Sequence, residues 1–137
     1  MHPAASVPVV LIAASAGGVQ AISTIVRSHY VDGRRIRHLL CSANPLFDSS
    51  AAILGSQAIA VVLTGSGMDA TDGVQSIKAH GGTVIAQDEA TSEHFGMPSA
   101  AIRTGAVDHV LPIGDIVPTL MRLVAERQAH AAPSKTA

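Results

Sequence analysis

The sequence predicts an α/β protein, a doubly wound three-layer sandwich built on a mainly parallel sheet. Short runs of branched apolar residues alternate along the chain with segments of helical spacing, which is typical of parallel strands joined by crossover helices. Hydrophobic residues make up 47% of the chain and charged residues 14%, as in a compact globular protein. The 137 residues are enough for one domain with a core of its own.

The first predicted strand contains the apolar run Val9–Ile12, which we expect to be buried on both faces. Small residues then lead into a helix over Val19–Val26, so that Ser15 falls at the carboxyl edge of the sheet, where open α/β folds bind ligands. Gly17 and Gly18 let the backbone approach a reacting group, and the N–H groups of the first helical turn can face negative charge. Ser15 is therefore a candidate nucleophile, and the alternative is a turn serine that caps the helix.

The later elements follow from the same kinds of pattern. Asn44 and Pro45 predict a helix start, with Asn at the cap and Pro at the first helical position, and Gly55 is placed to end that helix. Pro118 is expected in the first turn of the last helix, where it is tolerated. The remaining predicted segments are a solvated loop with the basic cluster Arg34–His38, a strand at Ala58–Leu63, a helix ending at His80, a strand at Thr83–Ala86, a short helix from Met97 to Gly105, a strand at Val107–Leu111 and a last helix beginning near Asp115. Residues 1–129 are predicted to form the domain and residues 130–137 a flexible tail.

Three loops leave the predicted strands at the same edge of the sheet. They are Ala14–Gly18, the glycine-rich loop Thr64–Asp69, and the polar, acidic loop Gln87–His94. Because the carboxyl ends of parallel strands meet at one edge, we expect Ser15 and Asp69 to lie close together there.

The loop Thr64–Asp69 has two competing interpretations. The spacing Gly65-x-Gly67-x-x-Ala70 after a strand, with Asp88 after the next strand, has the outline of a dinucleotide fingerprint. However, Asp69 and Asp72 would lie where a pyrophosphate must rest. A carboxylate about 4 Å from a phosphate costs about 4 kcal/mol at an intermediate dielectric. The attraction of a helix end for an anion is only about 0.3–1 kcal/mol, so nucleotide binding is disfavoured.

The second interpretation makes Asp69 the orienting acid of a hydrolase. A carboxylate at the carboxyl edge of a sheet can hold a histidine in the required tautomer and stabilise the imidazolium that forms during catalysis. The alternative is that Asp69 or Asp72 only caps the following helix. The spacing alone leaves both open.

Several stretches together resemble the catalytic domain of the CheB-type chemotaxis-receptor methylesterases. They are Ile12–Gly18 (IAASAGG), Asn44–Phe47 (NPLF), Val62–Ala70 (VLTGSGMDA), Ile85–Pro98 (IAQDEATSEHFGMP) and Ala101–Pro112 (AIRTGAVDHVLP). The resemblance covers Val7–Gly18 and about Ser42–Val124, and the stretch Gln87–Pro98 is specific to this family.

The resemblance implies a doubly wound parallel sheet and a Ser-His-Asp hydrolase. Members of this family hydrolyse glutamyl methyl esters on methyl-accepting chemotaxis receptors and release methanol, and some also deamidate glutamine. Matched by position, Ser15 is the nucleophile and Asp69 the triad acid. The residues whose backbone would face the oxyanion are Ala16, Gly17, Gly65, Ser66 and Gly67.

The sequence also departs from the pattern of this family. The Gln-His-Met-Pro-like motif that carries the general-base histidine is missing, and by comparison with the family a whole strand and more is lost between about Ser28 and Arg37. Ala16 replaces the usual threonine, and Ser66 replaces the usual methionine. The receiver domain is absent as well, so no control by phosphorylation is expected within this chain. His94 is a candidate substitute base, although the family usually has an aliphatic residue at that position.

These departures leave two other hypotheses besides a methylesterase. The first is a catalytically dead remnant that binds receptors or another partner, and the second, disfavoured above, is a dinucleotide-binding module. Removal of a strand exposes the apolar sides of its neighbours, so we expect the chain to self-associate or to be marginally stable.

Composition limits the partners and cofactors further. A net charge of −1 and 2% aromatic residues give no reason to expect nucleic acid. The longest apolar run, Val7–Ala14, is too short to span a bilayer, so no membrane insertion is expected. The lone Cys41 excludes an internal disulfide and fits a cytoplasmic location. No cofactor and no metal are expected.

Overall fold

A computed structural model describes residues 7–15, 17–29 and 43–131. Predictions that concern Ala16, the cluster Arg34–His38, the lost strand and residues 132–137 fall wholly or mainly outside the described residues. The described elements are β1 (Val9–Ala13), α1 (Gly18–His29), α2 (Ala43–Leu54), β2 (Ala58–Val62), α3 (Thr71–Ala79), β3 (Thr83–Gln87), α4 (Gly96–Arg103), β4 (His109–Leu111) and α5 (Ile113–Ala131), with a short 3₁₀ turn at Gly55–Gln57.

The four described strands form a parallel sheet in the order β1-β2-β3-β4. Helices cover both faces, which confirms the predicted α/β fold. One face carries α2, α3 and α4 around Phe47, and the other carries α1 and α5 around Ile25 and Ile116. No helix in the described ranges has the length and apolar character needed to cross a bilayer.

Burial differs sharply between the first two strands. All of Ala58–Val62 in β2 is inaccessible to solvent, because β1 and β3 flank it and helices cover both of its faces. In β1, by contrast, Val9–Ile12 are only partly buried. The run is therefore covered on both faces, with Leu11 against one core cluster and Val10 and Ile12 against the other, but it is buried less fully than predicted. The physical reason is that β1 is the edge strand of the described sheet, with β2 on one side only.

Helix α1 packs on a different face of the sheet from the helices α2, α3 and α4. Helices α2, α3 and α4 lie on one face, as right-handed connections between successive strands of a 1-2-3-4 sheet require. Helix α1 follows β1 but packs on the opposite face with α5. A right-handed connection through that face leads to the outer side of β1, away from β2.

Several predicted boundaries differ in the structure. Helix α2 begins at Ala43, so Asn44 lies inside it and is not its cap. Helix α5 begins at Ile113, since the Asp115 N–H donates to the Pro112 carbonyl oxygen at 2.9 Å and starts the first turn early. Pro118 therefore lies in the second turn of α5, and not in the first. Helix α5 also continues to Ala131, so the predicted tail starts inside the helix, and strand β4 is shorter than predicted.

Arg127 attaches α5 to the amino edge of the sheet. Its Nε donates to the Ser56 carbonyl oxygen at 2.7 Å, and its Nη2 donates to Thr83 Oγ1 at 2.6 Å. Desolvation by burial lowers the pKa of Arg127, while the charges of Glu126 and Asp108 act in the opposite direction. This contact lies at the end of the sheet opposite to the candidate site.

Candidate active site

Ser15 lies two residues after the end of β1 and is exposed to solvent. Its N–H donates to the Thr64 carbonyl oxygen at 3.1 Å, which continues the pairing of the two chain segments two residues beyond β1 and β2. The Ser15 carbonyl oxygen accepts the Gly18 N–H at 2.8 Å, and Gly17 adopts a φ of 78° between them. A glycine is favoured at such a positive φ. The strand therefore turns into α1 with the Ser15 hydroxyl at the accessible carboxyl edge, as predicted.

Gly65 makes room for Ser15. A Cβ on Gly65 would lie 2.8 Å from the Ser15 Cβ and 3.2 Å from the Met97 Cε, closer than side chains tolerate. The Gly65 N–H donates to the His94 carbonyl oxygen at 2.9 Å, and the Gly65 carbonyl oxygen accepts the Met97 N–H at 2.8 Å. Gly65 is therefore held between the turn at Ser15 and the loop that precedes α4. The next two residues, Ser66 and Gly67, are exposed at the same edge.

Asp69 connects the starts of two helices. Its Oδ2 accepts the Ala43 N–H at the start of α2 at 2.8 Å. In the reverse direction, Asn44 Oδ1 accepts the Gly73 N–H in the first turn of α3 at 2.8 Å. Side-chain acceptors at helix starts satisfy N–H groups that have no partner within the helix. Asp69 thus lies at the predicted edge, and it caps α2, not the helix that follows it in sequence.

Gln87 is the site residue that the sequence pattern did not single out. It is buried at the end of β3, where its Oε1 accepts the Thr64 N–H at 2.8 Å and its Nε2 donates to the Thr91 carbonyl oxygen at 2.8 Å. It therefore joins the loops after β2 and β3. The feature of the sequence that could have identified Gln87 is its position directly after the apolar residues of a predicted strand. Asp88 accepts the N–H and hydroxyl of Thr91 within its own loop.

His94 lies on the far side of Thr64 and Gly65 from Ser15. The His94 N–H donates to Thr64 Oγ1 at 2.8 Å, which holds its backbone beside the end of β2. The His94 ring Nε2 is 3.7 Å from Glu93 Oε1, and the two side chains are 48% and 69% exposed. Glu93 Oε2 lies 2.6 Å from the position that a Cβ on Gly17 would occupy. The carboxylate of Glu93 therefore lies against the turn that follows Ser15.

A cavity of about 170 Å³ opens between α1 and the loop after β3. Its lining includes Gly17, Gln20, Thr24, Gln87 and Glu93. Most of these groups are amides, hydroxyls and backbone, and Glu93 is the charged member of the lining. No group of three metal-ligating side chains is found in the part of the chain that the structure describes.

Comparison with known proteins shows the family to which the chain belongs. The model of the CheB methylesterase family matches residues 27–120, which is more than half of the chain. The chain belongs to the CheB methylesterase family. The matched CheB region contains Asp69, Gln87 and His94, and it begins after Ser15.

Individual CheB relatives agree with this result. A protein-glutamate methylesterase/protein-glutamine glutaminase of Myxococcus xanthus is 51% identical over 83 residues, which are 61% of this chain and 24% of that protein. A relative with the same description from Pyrococcus abyssi is 47% identical over 83 residues, or 61% of this chain and 23% of the relative. The chain thus spans about a quarter of the length of these curated relatives.

The fold matches a solved CheB structure as well. The crystal structure of the Thermotoga maritima CheB methylesterase catalytic domain is similar with a TM-score of 0.55 and 47% sequence identity. The similarity covers 56% of this chain and 41% of that structure. The partial coverage fits a shortened CheB catalytic domain.

Proposed function

We propose that this CheB-family chain is a methylesterase that hydrolyses glutamyl methyl esters on methyl-accepting chemotaxis receptors, with Ser15 as the nucleophile. The observation that carries the proposal is the placement of Ser15, exposed at the end of β1 and held beside Gly65 by its hydrogen bond to Thr64. The names of the relatives support this reaction, and they add deamidation of protein glutamine as a second one.

In the proposed reaction, Ser15 Oγ attacks the ester carbonyl carbon while a base removes the hydroxyl proton. The oxyanion faces backbone N–H groups in the turn after Ser15 and at Ser66 and Gly67, at the positive end of the α1 dipole. The Gly65 N–H is not available for this role, because it donates to the His94 carbonyl oxygen. Collapse of the intermediate expels methanol, which takes the proton from the base. Water then hydrolyses the acyl-serine, which leaves a glutamate side chain on the receptor and restores the Ser15 hydroxyl.

This chain differs from the family pattern in the residue that serves as the general base. We propose His94 as the substitute base, because its backbone is held beside Gly65, the residue that Ser15 contacts. The resemblance assigns the role of triad acid to Asp69, which lies half-buried in the loop after β2 and accepts the Ala43 N–H. A proton transfer of this kind is worth about 10²–10⁴-fold in rate, so the identity of the base decides whether turnover is useful.

A second candidate function is a binding module without turnover. The missing Gln-His-Met-Pro motif favours it, because loss of a triad member leaves only about 10³–10⁴-fold acceleration over water. In both cases the proposed partners are receptor helices, and the proposed location is the cytoplasm. Dinucleotide binding stays disfavoured, since Asp69 and Asp72 lie at the start of α3.

Methanol release from a methyl-esterified receptor preparation tests the proposal. We expect the wild type to release methanol and Ser15→Ala to release none. Ser56→Ala is the matched control, since this exposed serine lies at the opposite edge of the sheet. Binding of the receptor without methanol release would contradict the esterase and support the binding module.

A further inference from the structure

The loop after β3 is positioned by the end of β2, and not only by its own residues. Gln87 Oε1 accepts the Thr64 N–H, and Thr64 Oγ1 accepts the His94 N–H, each at 2.8 Å. The Gly65 N–H donates to the His94 carbonyl oxygen at 2.9 Å. Both ends of the loop are therefore attached to Thr64 and Gly65, which fixes the backbone from which the His94 ring projects.

Ser15 is attached to the same two residues from the other side. Its N–H donates to the Thr64 carbonyl oxygen, and its Cβ lies against Gly65. Neighbouring strands are about 4.8 Å apart, so the backbones of Ser15 and His94 flank the end of β2 at about two strand spacings. Gly65, which has no side chain, lies between these two backbones and contacts Ser15.

Glu93 lies close to both Gly17 and His94. One carboxylate oxygen, Oε2, lies 2.6 Å from the position of a Cβ on Gly17, two residues after Ser15. The other oxygen, Oε1, is 3.7 Å from His94 Nε2. The carboxylate is thus close both to a ring nitrogen of His94 and to the turn that follows Ser15. Gly17 permits this contact, since any side chain at that position would displace Glu93.

The other carboxylates at this edge have different partners. Asp69 Oδ2 accepts the Ala43 N–H, and Asp88 Oδ1 accepts the Thr91 N–H and hydroxyl. Within the described ranges, the carboxylate recorded within 4 Å of a His94 ring nitrogen is that of Glu93.

We infer that Glu93 is the positioning carboxylate of His94 for the reaction at Ser15, a role that the resemblance assigns to Asp69. This inference rests on the proposed function and names the partner of its base. His94 takes the proton of the Ser15 hydroxyl as the Oγ–carbonyl bond forms, and it returns the proton to the departing methanol. Glu93 stays ionised throughout, orients the ring, and stabilises the imidazolium while it exists.

The test is a double-mutant cycle on the rate at which a fluorophosphonate labels Ser15. We expect His94→Gln to slow labelling at least a hundredfold, because it removes the base. Glu93→Gln slows labelling about tenfold in the wild-type background, a coupling within the range of contacting residues. In the His94→Gln background it has no further effect, since Glu93 acts through the imidazole.

Glu89→Gln is the matched control, because Glu89 is an exposed carboxylate of the same loop. Equal slowing by Glu93→Gln in both backgrounds would show a structural role and overturn the inference. The inference is also overturned if the effect of Asp69→Asn on the labelling rate depends on His94 while that of Glu93→Gln does not, provided that the unfolding curves of the variants are unchanged. Labelling of Ser15 at a rate independent of Glu93 would overturn the inference and leave the proposed function standing. No labelling of the folded wild type would overturn both.

Discussion

The two sides of the carboxyl edge are built differently. On one side, α2, β2 and α3 form a buried region, in which Phe47 and the whole of β2 are inaccessible to solvent and Asp69 caps α2. On the other side, the part-buried strand β1 leads to the exposed Ser15 and to Gly17, against which Glu93 of the exposed pair Glu93 and His94 lies. The two carboxylates therefore differ in their surroundings, since Asp69 is part of the packing and Glu93 is on the surface. We expect mutations at Asp69 to change stability and mutations at Glu93 to change the reaction at Ser15.

The largest effect on stability is expected in the buried region. Phe47→Ala removes a side chain with no exposed surface, where α2 packs so closely on α3 that a Cβ on Gly73 would lie 2.7 Å from the Phe47 Cβ. We expect the free energy of unfolding to fall by about 3–5 kcal/mol, measured in urea. Ile53→Ala on the same helix is the control, because Ile53 is 82% exposed. Equal losses for the two variants would contradict the assignment of Phe47 to the core.

Removal of the cap on α2 is expected to have the next largest effect. Asp69→Ala leaves the Ala43 N–H without the Oδ2 acceptor and should cost about 1–2 kcal/mol of unfolding free energy. Asp69→Asn keeps an oxygen acceptor and should cost less. If Asp69→Ala unfolds at the same urea concentration as the wild type, the cap contributes nothing, and Asp69 is not part of the packing.

The edge strand β1 has backbone N–H groups on the side that faces away from β2. The Ala13 carbonyl oxygen accepts the Leu63 N–H from β2, and strand groups alternate in direction, so the N–H groups of Val10 and Ile12 point away from β2. No described strand pairs with that side of β1. We expect sedimentation velocity to show association that grows with concentration, and Val10→Pro to reduce it. A single monomeric species that unfolds cooperatively at all concentrations would contradict this expectation.

The smallest effect on stability is expected at Glu93. The side chain is 69% exposed and its contact with His94 is 3.7 Å long, so Glu93→Gln should change the unfolding free energy by less than about 0.5 kcal/mol. This result would separate Glu93 from Asp69 in urea unfolding, with Glu89→Gln as the reference. A loss as large as that of Asp69→Ala would instead place Glu93 in the packing.

Local patterns predicted most of the fold. The apolar run Ala58–Leu63 specified the central strand β2, and the passage from strand through small residues to helix placed Ser15 at the carboxyl edge. The start of α5 was missed by two residues, because a backbone turn at Pro112 has no side-chain signal.

Contacts between distant residues could not be predicted in this way. Asn44 was predicted to cap α2 because asparagine is a common capping residue. In the structure it caps α3, through a hydrogen bond to Gly73, which is 29 residues away in sequence. Likewise, the contact of Glu93 with Gly17 depends on the order of three strands in the sheet. The sequence pattern locates the loops of the site, whereas the pairing of side chains across those loops depends on topology.

The most direct test of the central claim is mass spectrometry of the folded protein after treatment with a fluorophosphonate. An activated serine at the end of β1 predicts a single modification on the peptide that contains Ser15. The modification should be absent in Ser15→Ala and in protein unfolded before treatment. Folded protein that carries no modification at Ser15, or that is labelled equally in Ser15→Ala, would contradict the assignment of Ser15 as the nucleophile.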